Sequence, residues 1–195
     1  MLDSGLPVAM TEAAVPRVRL SFGAPIAAGI AAEAELIDLV LTERVPTWRV
    51  RAALVDRLPA GWSLVDLYDV WLAGPALPGQ VVAADYRIVL QPGEGTDGPT
   101  GAQVATAAAN LLAAASVTRQ RAKGGGVVDY DLRPLLADVT VLAAGPPVVI
   151  GTRTRFDPER GTGRPEEVVA ALADRIGMPL SAASIVRERI VLATD

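Results

Sequence analysis

The amino-acid sequence predicts an α+β protein made of two consecutive units. Segments with strand-like alternation and segments with helix-like periodicity follow one another along the 195 residues, and 51% hydrophobic residues suffice for a sizeable core. A stretch rich in glycine and proline, 73–79, interrupts every periodic pattern. We therefore expect one unit over residues 1–78 and a second unit over residues 79–195.

The first unit is predicted to fold in the order β-β-α-β. Side-chain patterns typical of strands cover residues 17–22, 33–41 and 62–72. Pro46 stands at a first-turn position of a helix that places Val50, Leu54 and Leu58 on one face.

The second unit is predicted to fold in the order β-α-β-β-α-β, with a hairpin counted as part of its second strand. Its strands are expected over residues 85–91, 117–121, 127–133, 135–142, 148–156 and 185–192. Thr100 and Gln103 form a capping box before the first helix. The second helix starts at Pro165 and stops at Gly177, a favourable residue just beyond a helix end.

The order β-α-β-β-α-β is that of the ferredoxin-like fold, so the chain is predicted to hold two ferredoxin-like units in tandem. The first of them lacks its opening strand and helix. Because the missing strand is central in that fold, its loss leaves a sheet unpaired and apolar surface uncovered. We expect that the true start lies upstream of Met1, or that another chain or the second unit fills the gap. A homo-oligomer is one such arrangement.

The chain contains neither histidine nor cysteine. Histidine is the side chain that titrates near neutrality, and cysteine supplies soft metal ligands and thiolate nucleophiles. Their absence argues against serine triads, thiol proteases, zinc and iron–sulfur sites and redox dithiols. We expect no catalytic residue, no cofactor and no bound metal.

No segment has the properties of a membrane span or an export signal. The apolar stretches are interrupted or rich in alanine, and none gives about 20 strongly apolar residues in a row. Residues 1–10 lack the basic and apolar regions of a secretory signal. A cytoplasmic protein without a membrane partner is the expectation.

A net charge of −4 means that any site for a polyanion is local. Basic residues gather in and after a predicted hairpin with glycines at its tip: Arg119, Arg121, Lys123 and Arg133. A mobile basic hairpin can follow a phosphate backbone. The alternative is an exposed hairpin kept in solution by its charge, in which Asp129 and Asp131 pair with these arginines.

Two predicted strands carry alternating arginines: Arg153 and Arg155 on one, Arg187 and Arg189 on the other. Alternation places each pair on a single face of a sheet, where it would form a platform for RNA. Aromatic residues, which stack on bases in RNA-binding sheets, make up only 4% of the chain. Cross-strand ion pairs with Asp85 and Glu188 account for these arginines equally well.

Several segments in series resemble the radical-SAM-linked domain of unknown function. They are GLPVAM (5–10), RLSFGAP (19–25), residues 29–41, LPAG (58–61), AADYR (83–87), DLRP (131–134), GTGRPEE (161–167) and IVRER (185–189). The family usually begins with a strand and a helix before the first of these segments. It also usually has a polar stretch with Asn and His where residues 13–17 stand here.

Proteins of that family occur fused to, or encoded beside, radical SAM enzymes, often near genes for an endoribonuclease and for ribosomal proteins. The resemblance implies a non-catalytic accessory protein that acts with a radical SAM protein in RNA or ribosome modification. We expect it to bind ribosomal or transfer RNA through the eight basic residues named above. One alternative is an RNA-modifying enzyme that uses Asp129 or Asp131, and another is a purely structural protein-interaction module.

Overall fold

The computed structural model describes residues 4–70, 75–123 and 125–193. The chain forms two compact units, one of Met1–Pro25 with Leu36–Gln80 and the other of Ile26–Glu35 with Val81–Asp195. Residues 26–35, which the sequence boundary assigns to the first unit, therefore group with the second. Residues 73 and 74 of the predicted linker lie outside the described part.

The described residues form strands and helices of an α+β protein. The strands are β1 (Leu20–Phe22), β2 (Ala31–Ala32), β3 (Ile37–Leu39), β4 (Val81–Pro92), β5 (Thr118–Lys123), β6 (Gly126–Asp131), β7 (Leu136–Ala143), β8 (Val149–Asp157), β9 (Gly161–Thr162) and β10 (Leu180–Leu192). The helices are α1 (Thr47–Val55), α2 (Leu77–Gln80), α3 (Gly101–Ala113) and α4 (Pro165–Ile176). This confirms the predicted α+β class.

The first unit contains a small two-stranded sheet and a small core. Strands β1 and β3 pair antiparallel, with Leu20 opposite Leu39. The helix α1 buries Val50 and Leu54, two residues of its predicted face, and they pack with Leu6 in the core. Few apolar side chains are buried here compared with the second unit.

The strand predicted over residues 62–72 is wrong for its described part, because residues 62–70 form no strand. Trp62, Val65 and Tyr68 are exposed by 53%, 75% and 63%. Side chains of this kind favour a strand, but a strand forms only where the backbone can pair with a neighbouring strand. The described residues provide no such neighbour for residues 62–70. Residues 71 and 72 lie outside the described part.

The second unit is built on one mixed sheet in the order β2-β10-β4-β8-β7, with β9 paired to β8. Neighbours are antiparallel except that β2 is parallel to β10. Strands β5 and β6 form a hairpin that is a separate two-stranded sheet. Along the chain, this hairpin comes after α3 and before β7. Along the chain, the main strands and helices follow the predicted order β-α-β-β-α-β, with this hairpin inserted.

Helices α3 and α4 cover one face of the sheet and bury its core. Ile88, Ile150, Leu111 and Leu172 are fully buried in this core. The alternate residues of the strands, such as Asp85, lie on the opposite face, which we call the open face. The unit thus has one apolar layer between the helices and the sheet.

The predicted start of α3 and end of α4 are confirmed, whereas α1 ends at Val55, so that Leu58 of its predicted face lies beyond the helix. The backbone N–H of Gln103 donates to Thr100 Oγ1 at 3.2 Å, and the backbone N–H of Thr100 donates to Gln103 Oε1 at 2.8 Å. Gly177 has a φ of 77°, which favours glycine, and its N–H donates to the Ala173 carbonyl at the end of α4. No helix in the described ranges has both the length and the apolar composition that crossing a bilayer requires.

A β-bulge in β10 overturns the expectation that Arg187 and Arg189 share a sheet face. Arg187 lies opposite Tyr86, and Arg189 lies opposite Asp85, with a register shift between them at Glu188. Tyr86 and Asp85 are consecutive, so they point to opposite faces of β4. One extra residue therefore turns Arg187 towards the helices and leaves Arg189 on the open face.

Candidate nucleic-acid interface

The arginines predicted to bind RNA fall into two classes that differ in hydrogen-bond partner. Those that donate to carboxylates are Arg119, Arg153, Arg187 and Arg189. Those that contact backbone carbonyls or an aromatic ring are Arg121, Arg133 and Arg155. The side chain of Lys123 lies outside the described part. The distinction matters because a carboxylate cancels the arginine charge, whereas a neutral partner does not.

On the open face, Asp85 receives two arginines from neighbouring strands. Arg153 donates from Nε to Asp85 Oδ1 at 2.6 Å and from Nη2 to Oδ2 at 2.9 Å, and Arg189 reaches Oδ2 at 3.2 Å. The hydrogen bond from Arg153 is the main cause that lowers the pKa of Asp85, and the hydrogen bond from Arg189 acts in the same direction. The carboxylate is therefore ionised at neutral pH and offsets part of the positive charge.

A second group of ion pairs on the same side of the unit involves Arg87. It donates from Nε to Glu188 at 2.6 Å and from Nη2 to Glu33 at 2.5 Å. The cross-strand pairs expected as the alternative to a platform for RNA are present at Asp85, whereas Glu188 pairs with Arg87, which was not among the predicted arginines. The open face thus presents paired charges, and RNA binding there stays a prediction.

Arg187 is buried on the helix side, with a side chain only 1% exposed. Its Nε donates to Glu35 Oε1 at 2.7 Å, and a second hydrogen bond joins Nη2 to the other oxygen of Glu35. Tyr86 also hydrogen-bonds this guanidinium, although burial raises the pKa of Tyr86. Glu35 and Tyr86 were not among the predicted site residues, and Glu35 lies 152 positions from its partner.

Arg119 holds the β5–β6 hairpin against helix α4. Its Nε donates to Glu167 at 3.1 Å, and its Nη1 pairs with Asp174. The side chain is only 18% exposed. This arginine therefore positions the hairpin, and its charge is balanced by carboxylates.

Arg133 and Arg155 are held by backbone oxygens instead. Arg133 donates to the carbonyls of Leu112 at 2.9 Å and Leu136 at 3.0 Å. Arg155 donates to the carbonyls of Pro134 at 3.0 Å and Leu136 at 2.9 Å. Because both arginines share the Leu136 carbonyl, their positive charges lie close together.

Arg121 and Arg160 extend this positive region. The guanidinium of Arg121 lies 5.0 Å from the centre of the Tyr130 ring, a cation–π contact. Arg160 is 61% exposed and has one long contact, 3.4 Å, with Asp157. Sequence analysis missed Arg160, because nothing in its spacing links it to residues 130–134. Arg121, Arg133, Arg155 and Arg160 are called the arginine cluster below.

A surface recess of about 640 Å³ is lined by two arginines of the cluster, Arg133 and Arg160. Its lining consists of Ala114, Ala115, Tyr130, Asp131, Arg133, Pro134 and Arg160. Apolar, aromatic and charged groups therefore meet in one recess.

Asp131 is the carboxylate of this recess and is held by hydrogen bonds. Burial by itself would raise its pKa, but the backbone N–H groups of Val117 and Arg133 and the hydroxyl of Ser116 lower it. The two N–H groups donate to Asp131 Oδ1 at 2.7 and 2.9 Å. A carboxylate that acts as a general acid or base near neutral pH needs a raised pKa. Asp129, the other carboxylate of the enzymatic alternative, accepts from Gln120 at 2.8 Å.

No group of three acidic side chains that could hold a metal ion occurs among the residues that the structure covers. The fold and the site define an α+β protein with arginine–carboxylate pairs on its sheet and, beside a hairpin, arginines held mainly by backbone carbonyls and an aromatic ring. The chain belongs to the family described as "Uncharacterized protein conserved in bacteria (DUF2344)", whose model matches residues 3–164. The matched range includes the whole arginine cluster.

This match confirms the resemblance to a domain of unknown function, while the association with radical SAM proteins stays a prediction. A search of curated proteins found no match. Helix α4 and strand β10 lie outside the matched range, although β10 lies next to β4 in the sheet of the second unit.

Proposed function

We propose that this chain is a non-catalytic accessory protein that binds RNA through the arginine cluster and acts with a radical SAM protein in RNA or ribosome modification. The observation that carries RNA binding is the carbonyl and aromatic contacts of Arg121, Arg133 and Arg155. These contacts orient the guanidinium groups without cancelling their charge. The radical SAM partner rests on the family resemblance of the sequence segments.

The charge balance of the two surfaces supports the arginine cluster over the open face. On the open face, the carboxylate partner of each paired arginine offsets part of its attraction for phosphate. The cluster has four arginines and two neighbouring carboxylates, Asp131, which accepts two backbone N–H groups, and Asp157, whose side-chain contact with Arg160 is long, at 3.4 Å. A local positive potential therefore persists on a chain of net charge −4.

We also propose that the second unit is ferredoxin-like. Its support is the antiparallel strand order β10-β4-β8-β7 with α3 and α4 on one face. For the first unit, the support for an incomplete copy is limited to the pairing of β1 with β3 followed by α1. The ferredoxin-like fold is thus better supported for the second unit than for the first.

RNA binding is tested with the double variant Arg121→Gln, Arg160→Gln. Neither arginine donates a hydrogen bond to a backbone carbonyl in the described residues, so the fold should tolerate their loss. We expect an affinity for ribosomal and transfer RNA at least about tenfold lower at moderate salt. The slope of log affinity against log salt should fall by about 1.4, since each contact with a single-stranded phosphate contributes about 0.7.

Arg175→Gln is the matched control, because Arg175 is an exposed arginine in the last turn of α4 that does not line the recess. It should leave affinity and salt slope close to those of the unmodified chain. Equal binding by the double variant and the control would remove the arginine cluster from the proposal. Absence of any RNA binding at low salt would remove RNA binding altogether.

A protein-interaction module is the second candidate, and the exposed apolar side chains of the first unit favour it. Trp48 is 71% exposed, and Trp62, Val65 and Tyr68 are each more than half exposed. Large apolar groups that remain in contact with water are frequent at sites of protein association. This candidate assigns the radical SAM protein, and not RNA, as the molecule bound.

The variant Trp48→Ala, Trp62→Ala tests this candidate. We expect it to lose most of its co-purification with a radical SAM protein from the same organism, because tryptophans contribute strongly to interfaces. Leu142→Ala removes an apolar side chain of the second unit that is 55% exposed and serves as the control. Equal recovery of the partner with both variants would argue against the first unit as the binding surface.

A further inference from the structure

We propose that the recess beside Tyr130 holds one unpaired nucleotide whose base carries an exocyclic amino group. The inference deepens the RNA binding proposed above and rests on it. It assigns the base to Tyr130 and Pro134, the amino group to Asp131, and the adjoining phosphate to Arg133 and Arg160.

The size and lining of the recess fit a nucleotide. Its volume of about 640 Å³ lies within the range of small-molecule sites, about 300–1,000 Å³. Ala114 and Ala115 leave one side of the recess free of bulky groups. A nucleotide has a flat base and an anionic phosphate. The recess offers a surface for each, because Tyr130 and Pro134 line it together with Arg133 and Arg160.

Tyr130 provides an aromatic surface that is already oriented. The Arg121 guanidinium lies over one face of the ring, 5.0 Å from its centre, and the ring packs against the core of the second unit. The base is assigned to the part of the ring that lines the recess. Stacking on a fixed ring costs little conformational entropy. Base stacking on an aromatic side chain strengthens binding by about tenfold or more per base.

Asp131 provides selectivity between bases. Its Oδ1 already accepts two backbone N–H groups, so the carboxylate keeps its negative charge and its position. A carboxylate has about four lone-pair sites, which leaves acceptor capacity for a further donor. Adenine, cytosine and guanine present an amino group, whereas uracil has none, and its single N–H lies between two carbonyl oxygens that a carboxylate repels.

An unpaired nucleotide is required because a duplex offers neither of these contacts. In duplex RNA, both faces of a base are stacked and its pairing edge is occupied. A single strand can turn one base out and place its phosphate on nearby arginines. The recess therefore selects single strands, and the arginine cluster alone would bind either form.

The test compares the affinities of fluorescent ten-nucleotide strands of A, C and U and of a ten-base-pair duplex, all at one salt concentration. We expect A and C to bind about tenfold more tightly than U or the duplex. Tyr130→Leu should remove this advantage and leave the salt slope unchanged, because no phosphate contact is lost. Tyr130→Phe keeps the ring and should retain the advantage.

Ala115→Gln provides a second variant that fills the recess without changing the ring or any charge. Since Ala115 is exposed, the substitution should fold normally, and it should reduce the binding of A and C to the level of U. Equal affinities for A, C, U and duplex, unaffected by either variant, would overturn the nucleotide site while RNA binding stands. Absence of binding to every RNA would instead overturn the proposed function.

Discussion

Replacing Glu35 by glutamine is expected to destabilise the second unit by about 3 kcal/mol. Arg187 is 1% exposed and donates two hydrogen bonds to the Glu35 carboxylate, which is itself 15% exposed. The variant leaves a buried guanidinium without its counter-charge. Removing one member of a buried ion pair is costly because the remaining charge cannot be solvated.

Glu33→Gln is the matched control for this experiment. Glu33 lies in the same segment and also pairs with an arginine, Arg87, but both side chains are substantially exposed. Its replacement should change stability little, since exposed ion pairs are screened by water and salt. Amide hydrogen exchange of β4 and β10 measures the opening free energy of the second unit. Similar exchange in both variants would contradict the importance of the buried pair.

Gly101→Ala is expected to destabilise the second unit by about 2 kcal/mol, within the usual range for an overpacked core. A Cβ at this first residue of α3 would lie 2.7 Å from the Cα of Ala144 and even closer to its Cβ. Backbone atoms cannot rotate away as a flexible side chain can. The start of α3 or the segment after β7 would have to shift, despite the better helix propensity of alanine.

Gly145→Ala adds the same methyl group at a neighbouring position where a Cβ meets no atom within 4 Å. It should leave the free energy of unfolding nearly unchanged. Urea unfolding followed by far-ultraviolet circular dichroism compares the two variants. A midpoint for Gly101→Ala equal to that of Gly145→Ala would show that α3 does not approach Ala144 as closely as the structure indicates.

The elements that sequence analysis predicted correctly have local causes. The capping box of Thr100 and Gln103 and the left-handed Gly177 each involve residues within a few positions of one another. The same holds for the face of α1 with Val50 and Leu54. Such signals act over one turn of a helix and need no information about the rest of the chain.

Two sequence interpretations were wrong because they depended on distant partners. The apolar residues over 62–70 resemble a strand, but no described neighbour pairs with them. Arg187 and Arg189 alternate in the sequence but do not share a sheet face, because a bulge at Glu188 shifts the pairing register of β10 with β4. Sequence alternation predicts faces only while pairing stays regular, and a single extra residue reverses the faces beyond it.

The sequence by itself determined the α+β class, the helix ends and the set of basic residues. Only the tertiary structure decided which arginines lie beside a carboxylate that offsets their positive charge. Arg153 and Arg155 lie on the same strand, yet one pairs with Asp85 and the other with backbone carbonyls. Charges cancel only over a few ångströms, and folding alone decides which groups come that close.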